Sequence, residues 1–176
     1  MQVVSRRGQN VANLVEKPRV ACAVAPGQCD LTRFRARQRG QLEIMAARHA
    51  LLRDRGWDVE DRGLFGAPEI PVIFGADAHS APIAGLRYAG FGAGRARRVK
   101  TDDQGRMLPG DLAAALADCD APPLVILQAG QINTGAFDPF AELIPMVHER
   151  GGWVHVDGAF GLWVAAVPEL RHRLAG

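Results

Sequence analysis

Asp157 is the residue whose setting most strongly suggests chemistry, because its carboxylate closes the apolar run Trp153-Val154-His155-Val156. Such a run predicts a buried strand, and a carboxylate at its end is costly to desolvate unless a positive or protonated group meets it. That group could be the protonated nitrogen of a ligand ring, or Asp157 could instead cap a following helix. Gly158 and Ala159 come next, and such small residues would let a flat ligand lie close to the backbone, although they are also ordinary in turns.

His79 is the second candidate, since it follows another predicted strand, Pro71-Val72-Ile73-Phe74. An imidazole there could stack on a ligand ring and lie near a substrate carboxylate, or it could be a polar loop histidine without a ligand. His155 carries a weaker signal. Strand alternation turns it to the side opposite its apolar neighbours, which is typical of a packed, hydrogen-bonded histidine.

The elements around these residues predict an α/β fold with a mostly parallel sheet and flanking helices. A continuous apolar strand at 124–129 is followed by a polar loop at 130–139, a helix at 140–150 and the strand at 153–157. This order implies a right-handed crossover between parallel strands. Such sheets bind ligands at the carboxyl ends of their strands, where Asp157 and the polar loop both lie.

Apolar spacing and turn residues predict the other elements. We expect helices over 42–55, ended by Gly56, over roughly 80–90 and over 111–119, and short strands over 71–74 and 95–100. Residues 57–70 are expected to be a loop and 102–105 a turn. Asp138, just before Pro139, is expected to cap the helix at 140–150.

Composition indicates one globular domain and argues against several functional classes. The 176 residues are 48% hydrophobic with a formal net charge of +2, so a nucleic-acid partner gains no strong support. No apolar run approaches the ~20 residues of a membrane helix. The three cysteines have no metal-ligand spacing, so we expect no metal site. We see no secretory signal and expect a cytoplasmic protein.

The first 40 residues differ in charge from the rest of the chain. They hold eight Lys and Arg residues against two acidic residues, Glu16 and Asp30, so their formal net charge is +6. Because the whole chain has a formal net charge of +2, residues 41–176 carry −4. Three interpretations are open: a solvated tail, a basic arm for RNA or a membrane, or translated sequence from outside the ancestral reading frame. We divide the chain into an atypical basic head at 1–40, disordered or of other origin, and a domain at 41–176.

Taken together, these stretches resemble the group II pyridoxal-phosphate (PLP)-dependent amino-acid decarboxylases, the family of glutamate, aromatic-amino-acid and histidine decarboxylases. The matching segments are AARHALLRDRGWDVEDRGLFGAPEIPVIFGADAHSA, VKTDDQGRM, QAGQINTGAFDPFAELI and WVHVDGAFGLW. The combination of H-S, D-x-x-G-R-M, T-G-A-F-D-P and H-V-D-x-A is quite specific. The resemblance implies that 41–176 is a partial large domain of a fold-type-I PLP enzyme, whose parent is a homodimer.

The resemblance also implies roles for individual residues. His79 would stack on the cofactor ring and would position the substrate or protonate the carbanion. Asp157 would pair with the pyridinium nitrogen and keep the ring protonated, so that the ring accepts electrons when a Cα bond breaks. Ala159 would pack beneath the ring, and Thr134 would be a neighbour of the cofactor pocket. The substrate would be an amino acid, and the visible motifs do not select which one.

Several departures from the family pattern affect the expected function. The family has a Thr-Thr pair where this chain has Gln131-Ile132, and a small-residue phosphate turn where this chain has RFRARQRGQLEI. The family's Schiff-base lysine lies in a His-Lys pair beyond the H-V-D motif. The only lysines of this chain are Lys17 and Lys100, and neither of them lies at that position.

We therefore expect a decarboxylase lineage in a chain that is inactive by itself. Two alternatives are another fold-type-I PLP enzyme, such as a lyase or an aminotransferase, and a non-catalytic remnant.

Overall fold

Five strands form a single sheet in the computed structural model, which describes the backbone at 20–22 and 32–40 and the whole of residues 41–176. Every pairing is parallel, and the spatial order is β1-β5-β4-β2-β3. The strands are β1 Val20–Cys22, β2 Val72–Gly75, β3 Arg97–Val99, β4 Leu124–Gln128 and β5 Trp153–Asp157. The predicted α/β fold with a parallel sheet and flanking helices is confirmed.

Five α-helices accompany the sheet in the described residues. They are α1 Thr32–Arg53, α2 Val59–Arg62, α3 Ser80–Tyr88, α4 Pro109–Ala117 and α5 Phe140–Glu149, with 3-10 turns at Ala93–Arg95, Gly161–Ala166 and Pro168–Leu174. The prediction that 57–70 is a loop throughout is wrong, because α2 forms there. Although α1 has 22 residues, no helix in this part of the chain is long and apolar enough to cross a membrane.

Helix α1 begins at Thr32, so its first turns lie inside the segment that the sequence assigns to the basic head. The rest of the head, 1–19 and 23–31, lies outside the described residues. The division of the chain at residue 40, and the basic-arm and reading-frame interpretations of the head, stay predictions. The helix ends near the expected position, where Gly56 takes a φ of +75°, a conformation that glycine adopts at little cost.

The sheet is covered on both faces, and β4 contributes to both layers. Val125 and Leu127 pack with α4 and α5 on one face, whereas Leu124 and Ile126 pack with α1 and α3 on the other. All five residues of β4 are buried, which explains the unbroken apolar run as a central parallel strand. A site at the end of β4 therefore rests on the most firmly packed strand of the sheet.

Close packing of α1 on α3 sets the height of α3 above the sheet. A Cβ at Gly85 would lie 2.8 Å from Ile44 Cδ1, so a larger residue there would require the Ile44 side chain to shift. Arg48 on α1 donates to the carbonyl of Ala89 at 2.6 Å, which satisfies an unpaired acceptor at the end of α3. These contacts fix the helix whose first turn carries His79.

Candidate functional site

The carboxyl ends of three strands bring polar residues to one edge of the sheet. β5 pairs with β4 so that Asp157 lies beside Gln128, and β2 pairs with β4 on its other side and leads to His79. Alternation along the strand places Gln128 on the face that Ile126 shares with α1 and α3. Because Asp157 is in register with Gln128, its side chain projects to that same face.

His79 is the N-cap of α3, with an extended backbone at φ −60° and ψ 152°. Its Nδ1 accepts the N–H of Ala81 at 3.2 Å, so the neutral ring carries its proton on Nε2. The residue is exposed. The ring is therefore oriented by its own helix and presents Nε2–H outward, an arrangement that suits contact with a ligand.

Gln128 connects His79 to the centre of the sheet, and sequence reasoning missed it. Its Oε1 accepts the backbone N–H of His79 at 3.1 Å, and its Nε2 lies 3.5 Å from the carbonyl oxygen of Asp77. Gln128 is only 7% exposed. An amide that ends an otherwise apolar strand was the available signal, of the same kind that selected Asp157.

Asp157 has no helix to cap. The next element, the 3-10 turn at Gly161–Ala166, is preceded by Phe160 and has no side-chain cap. Instead, Asp157 Oδ1 accepts the N–H of Ala159 at 3.3 Å. No ion pair among the described residues includes Asp157, and the side chain is half-buried.

His155 lies beneath Asp157 on the same face, two residues earlier on β5. It is 2% exposed, and its Nδ1 is 3.5 Å from Glu43 Oε2 on α1. Burial lowers the pKa of the ring to about 4, although the charge of Asp157 acts in the opposite direction. The predicted packing of His155 is confirmed, whereas its buried Nδ1 has no hydrogen-bond partner among the described residues, unlike the hydrogen-bonded ring that was expected. The ring is neutral at pH 7.

Asp138 does not cap α5, so that prediction is wrong. The N-cap of α5 is Pro139, and the Asp138 carboxylate accepts the N–H groups of Met107 at 2.7 Å and Gln128 at 2.6 Å. Asp138 N–H in turn donates to Gln128 O at 3.0 Å. Burial raises the pKa of Asp138 to about 6 against the effect of the two N–H bonds. This residue fixes the end of β4 from the side opposite His79.

Thr134 is tied to a neighbouring turn and not to the other predicted site residues. Its Oγ1 donates to Gln104 O at 2.7 Å, and its N–H donates to Gln131 Oε1 at 3.0 Å. Thr134 lines an open cleft of about 720 Å³. The lining residues of this cleft come from three segments of the chain, 102–109, 134–142 and 172–175. Neither His79 nor Asp157 lines that cleft. The structure brings together His79, Asp157 and Ala159 at the sheet edge and places Thr134 apart from them.

Glycine at 161 lets the segment after Asp157 fold over the end of β4. Gly161 N–H donates to Ala129 O at 2.8 Å, and a Cβ at Gly161 would lie only 2.3 Å from that same oxygen. This approach fixes the course of residues 158–160 directly above the sheet edge and leaves Ala159 exposed. Close packing against Ala129 thus requires a small residue at Gly161, independently of any ligand.

The donor set at this edge fits one half of a pyridoxal-phosphate site. Asp157 offers a carboxylate to a ring nitrogen, His79 offers an exposed imidazole, and Ala159 offers a surface without bulk. A lysine is not among the described residues of this edge. The Lys100 side chain is 82% exposed and lies 3.9 Å from the Asp111 carboxylate on α4, and Lys17 lies outside the described residues.

The chain is similar to several known proteins. A family model described as "Pyridoxal-dependent decarboxylase conserved domain" matches residues 39–176. Over 141 residues the chain is 32% identical to cysteine sulfinic acid decarboxylase of Mus musculus. This alignment covers 78% of this chain and 29% of that protein. The chain spans less than a third of the length of the curated relatives it matches.

Solved structures show the same fold. A crystal structure of mouse CSAD aligns with a TM-score of 0.68 at 32% identity and covers 78% of this chain and 30% of that chain. A crystal structure of Oryza sativa TDC with PLP and tryptamine aligns with a TM-score of 0.67 at 29% identity and covers 78% of this chain and 28% of that chain. The family-model match at 39–176 contains β2, β3, β4 and β5 and the polar edge at their carboxyl ends.

Proposed function

Because the chain belongs to the pyridoxal-dependent decarboxylase family, we propose that it forms part of the cofactor site of an enzyme that removes the α-carboxylate of an amino acid. The observation that carries this proposal is the position of Asp157, which is in register with Gln128 on the edge that also carries His79. Bound there, the cofactor supplies a protonated ring that accepts the electron pair left when the Cα–carboxylate bond breaks.

Asp157 has the role of holding the proton on the ring nitrogen. Its Oδ1 is oriented by the Ala159 N–H, so the carboxylate needs little rearrangement to accept a hydrogen bond from that nitrogen. His155 supports this role because its ring is neutral at pH 7, since burial lowers its pKa to about 4. No imidazolium beneath the site offsets the negative charge of Asp157.

His79 has the role of contacting the ring face and moving a proton at the substrate Cα. Its Nδ1 is occupied by the Ala81 N–H, so Nε2 is the atom that can hold and deliver a proton. The N-cap bond restricts ring rotation, which keeps Nε2 directed away from the helix. Ala159 would lie against the opposite side of the ring, and Thr134 would border the wider pocket in the assembled enzyme.

The finer features of the function are part of the same proposal. The substrate is a small amino acid, the parent enzyme is a cytoplasmic homodimer, and the 176-residue chain does not turn over by itself. The last point rests on the placement of Lys100, whose exposed ammonium lies against Asp111 on α4 and not beside Asp157. Lys100 therefore does not have the position of a cofactor anchor.

Binding of PLP to the purified protein tests the proposal directly. Tryptophan fluorescence reports binding, because Trp153 and Trp163 flank the site along the chain. We expect saturable quenching, and Asp157→Asn should weaken affinity roughly 10- to 100-fold, the effect of losing a hydrogen bond to a charged group. Asp111→Asn, which removes a carboxylate from α4, is the matched control and should bind like the wild type.

Equal PLP affinity in the wild type and in Asp157→Asn would contradict the assigned site. Release of CO2 from amino acids by the 176-residue chain with added PLP would overturn the statement that it is inactive by itself.

A further inference from the structure

We infer that Gln128 is a positioning residue for His79, whose side-chain amide sets the place of the imidazole relative to Asp157. The inference rests on the proposed function and extends it to a residue to which the sequence analysis gave no role. Gln128 belongs to the strand that lies between the strand of Asp157 and the strand that leads to His79. It is therefore in contact with both halves of the site.

The backbone of Gln128 is held firmly enough to act as a reference point. Its N–H donates to Asp138 Oδ2 at 2.6 Å, and its C=O accepts the Asp138 N–H at 3.0 Å. On the other side it is in register with Asp157 on β5. With only 7% of the residue exposed, the side chain has few alternative rotamers that avoid its neighbours.

The side chain of Gln128 supplies what the loop before α3 lacks. The N–H of an N-cap residue has no acceptor within its own helix, and Gln128 Oε1 provides one for His79 at 3.1 Å. The Asp77 carbonyl, 3.5 Å from Nε2, faces the donor end of the same amide. A primary amide is the side chain that offers an acceptor and a donor in this arrangement.

Loss of this contact should loosen His79 without unfolding the loop. Ala76 N–H still donates to Val99 O at 2.8 Å, and Ala78 N–H to Gly75 O at 3.0 Å. His79 also keeps its cap bond to Ala81. The expected consequence is thus a change in cofactor affinity and in the local mobility of His79, with the fold retained.

Three variants separate positioning from general packing. Gln128→Met keeps the length and burial of the side chain but removes both hydrogen bonds. Gln128→Glu keeps an oxygen that can accept from the His79 N–H. Gln131→Met is the matched control, since Gln131 is also 7% exposed but its amide oxygen accepts only from its own loop, at Asn133 and Thr134.

The primary measurement is hydrogen exchange at the His79 amide by NMR, without PLP. Gln128→Met should accelerate exchange about tenfold, the effect of losing one ordinary hydrogen bond. Gln128→Glu should restore protection, and Gln131→Met should leave it at the wild-type value. In a PLP titration followed by fluorescence, Gln128→Met should weaken affinity severalfold more than Gln131→Met does, at comparable thermal unfolding midpoints.

Wild-type exchange at His79 in Gln128→Met, or equal loss of PLP affinity in Gln128→Met and Gln131→Met, would overturn the inference. If the PLP titration shows that the wild type itself binds no PLP, the proposed function fails. The exchange measurement is independent of that outcome, since it reports the Gln128–His79 bond without any cofactor. Should Gln128→Met not fold, the exchange rate of Gln128→Glu decides: protection supports the inference, and its loss contradicts it.

Discussion

At the scale of single residues, Asp138 combines a structural task with an unusual titration. Its pKa rises from 3.8 to about 6 in the folded protein because burial disfavours the carboxylate. A folded-state pKa above the unfolded value means that protonation favours folding. The stabilisation is therefore complete below about pH 4 and is lost as pH rises through 6, and it amounts to about 3 kcal/mol.

Urea unfolding at closely spaced pH values between 4 and 7 measures this contribution. In Asp138→Asn this pH dependence should be absent, so the difference in unfolding free energy between wild type and variant should itself grow by about 3 kcal/mol as pH falls from 7 to 4. At pH 7 the variant should already be less stable by about 1–3 kcal/mol, because an amide cannot accept from both the Met107 and Gln128 N–H groups. An unchanged pH profile in Asp138→Asn would contradict the assignment of the titration to this residue.

His155 should produce the opposite trend. Burial lowers its pKa from 6.5 to about 4, so its contribution to stability is complete above about pH 6.5 and is lost as pH falls through 4. The size is about 3 kcal/mol, and it partly cancels the effect of Asp138 over the same range. His155→Gln removes the titration, and we expect its unfolding free energy to decline less than that of the wild type on acidification. NMR titration of the ring provides an independent check on its pKa.

These residues also show what sequence can and cannot predict about a site. Asp157 was recognisable because a charge at the end of an apolar strand needs a partner, and that need is visible locally. Asp138 was misassigned because Asp-Pro before a helix has the same local pattern whether or not it caps. Its actual donors, at 107 and 128, are distant in the chain, and no local pattern shows that they converge. Gln128 ends an apolar strand as Asp157 does, so its type and position were visible in the sequence, but the contact of its Oε1 with the His79 N–H forms only after the strands pair.

At the scale of elements, the segment after β5 depends on a glycine. A Cβ at Gly161 would lie 2.3 Å from Ala129 O, so Gly161→Ala must displace the chain that follows Asp157. We expect a loss of about 1–3 kcal/mol in unfolding free energy, as for other overpacked sites. Gly110→Ala is the control with the opposite sign. It lies in α4 with nothing within 4 Å of its Cβ, so alanine should stabilise the helix by about 0.5–1 kcal/mol.

Chemical denaturation of the two variants beside the wild type gives both values. If Gly161→Ala is as stable as the wild type, the close approach of the two backbones is not a constraint on the fold.

The elements differ in how well the sequence predicts them, for identifiable reasons. β4 and β5 were predicted because buried parallel strands leave continuous apolar runs. The four-residue helix α2 was missed because it is shorter than any apolar period, and it depends on Asp58, whose Oδ1 accepts the N–H groups of Glu60 at 2.9 Å and Asp61 at 3.4 Å. The early start of α1 at Thr32 was missed because its Arg- and Gln-rich first turns have helix propensity without an apolar stripe.

At the scale of the whole molecule, large apolar side chains near the site are exposed to solvent. Phe160 and Trp163 follow Asp157 closely and are 64% and 56% exposed, although aromatic side chains of this size are usually well covered. Neither contributes to the two buried layers of the sheet. A chain that spans less than a third of its relatives' length would present such residues where the rest of an enzyme, or a second copy, covers them.

We therefore expect the purified chain to self-associate through this surface. In sedimentation experiments, the average mass of the wild type should increase as protein concentration rises. The double variant Phe160→Ser with Trp163→Ser should show a smaller increase. At concentrations too low for association the double substitution should not lower the thermal unfolding midpoint, because both side chains are exposed to water in the single chain. Tyr88→Ser is the control, since Tyr88 is 69% exposed on α3 and lies outside the segment after β5. If the double variant and Tyr88→Ser sediment alike, the residues after Asp157 are not the surface through which copies of the chain meet, and the site must be completed from another direction.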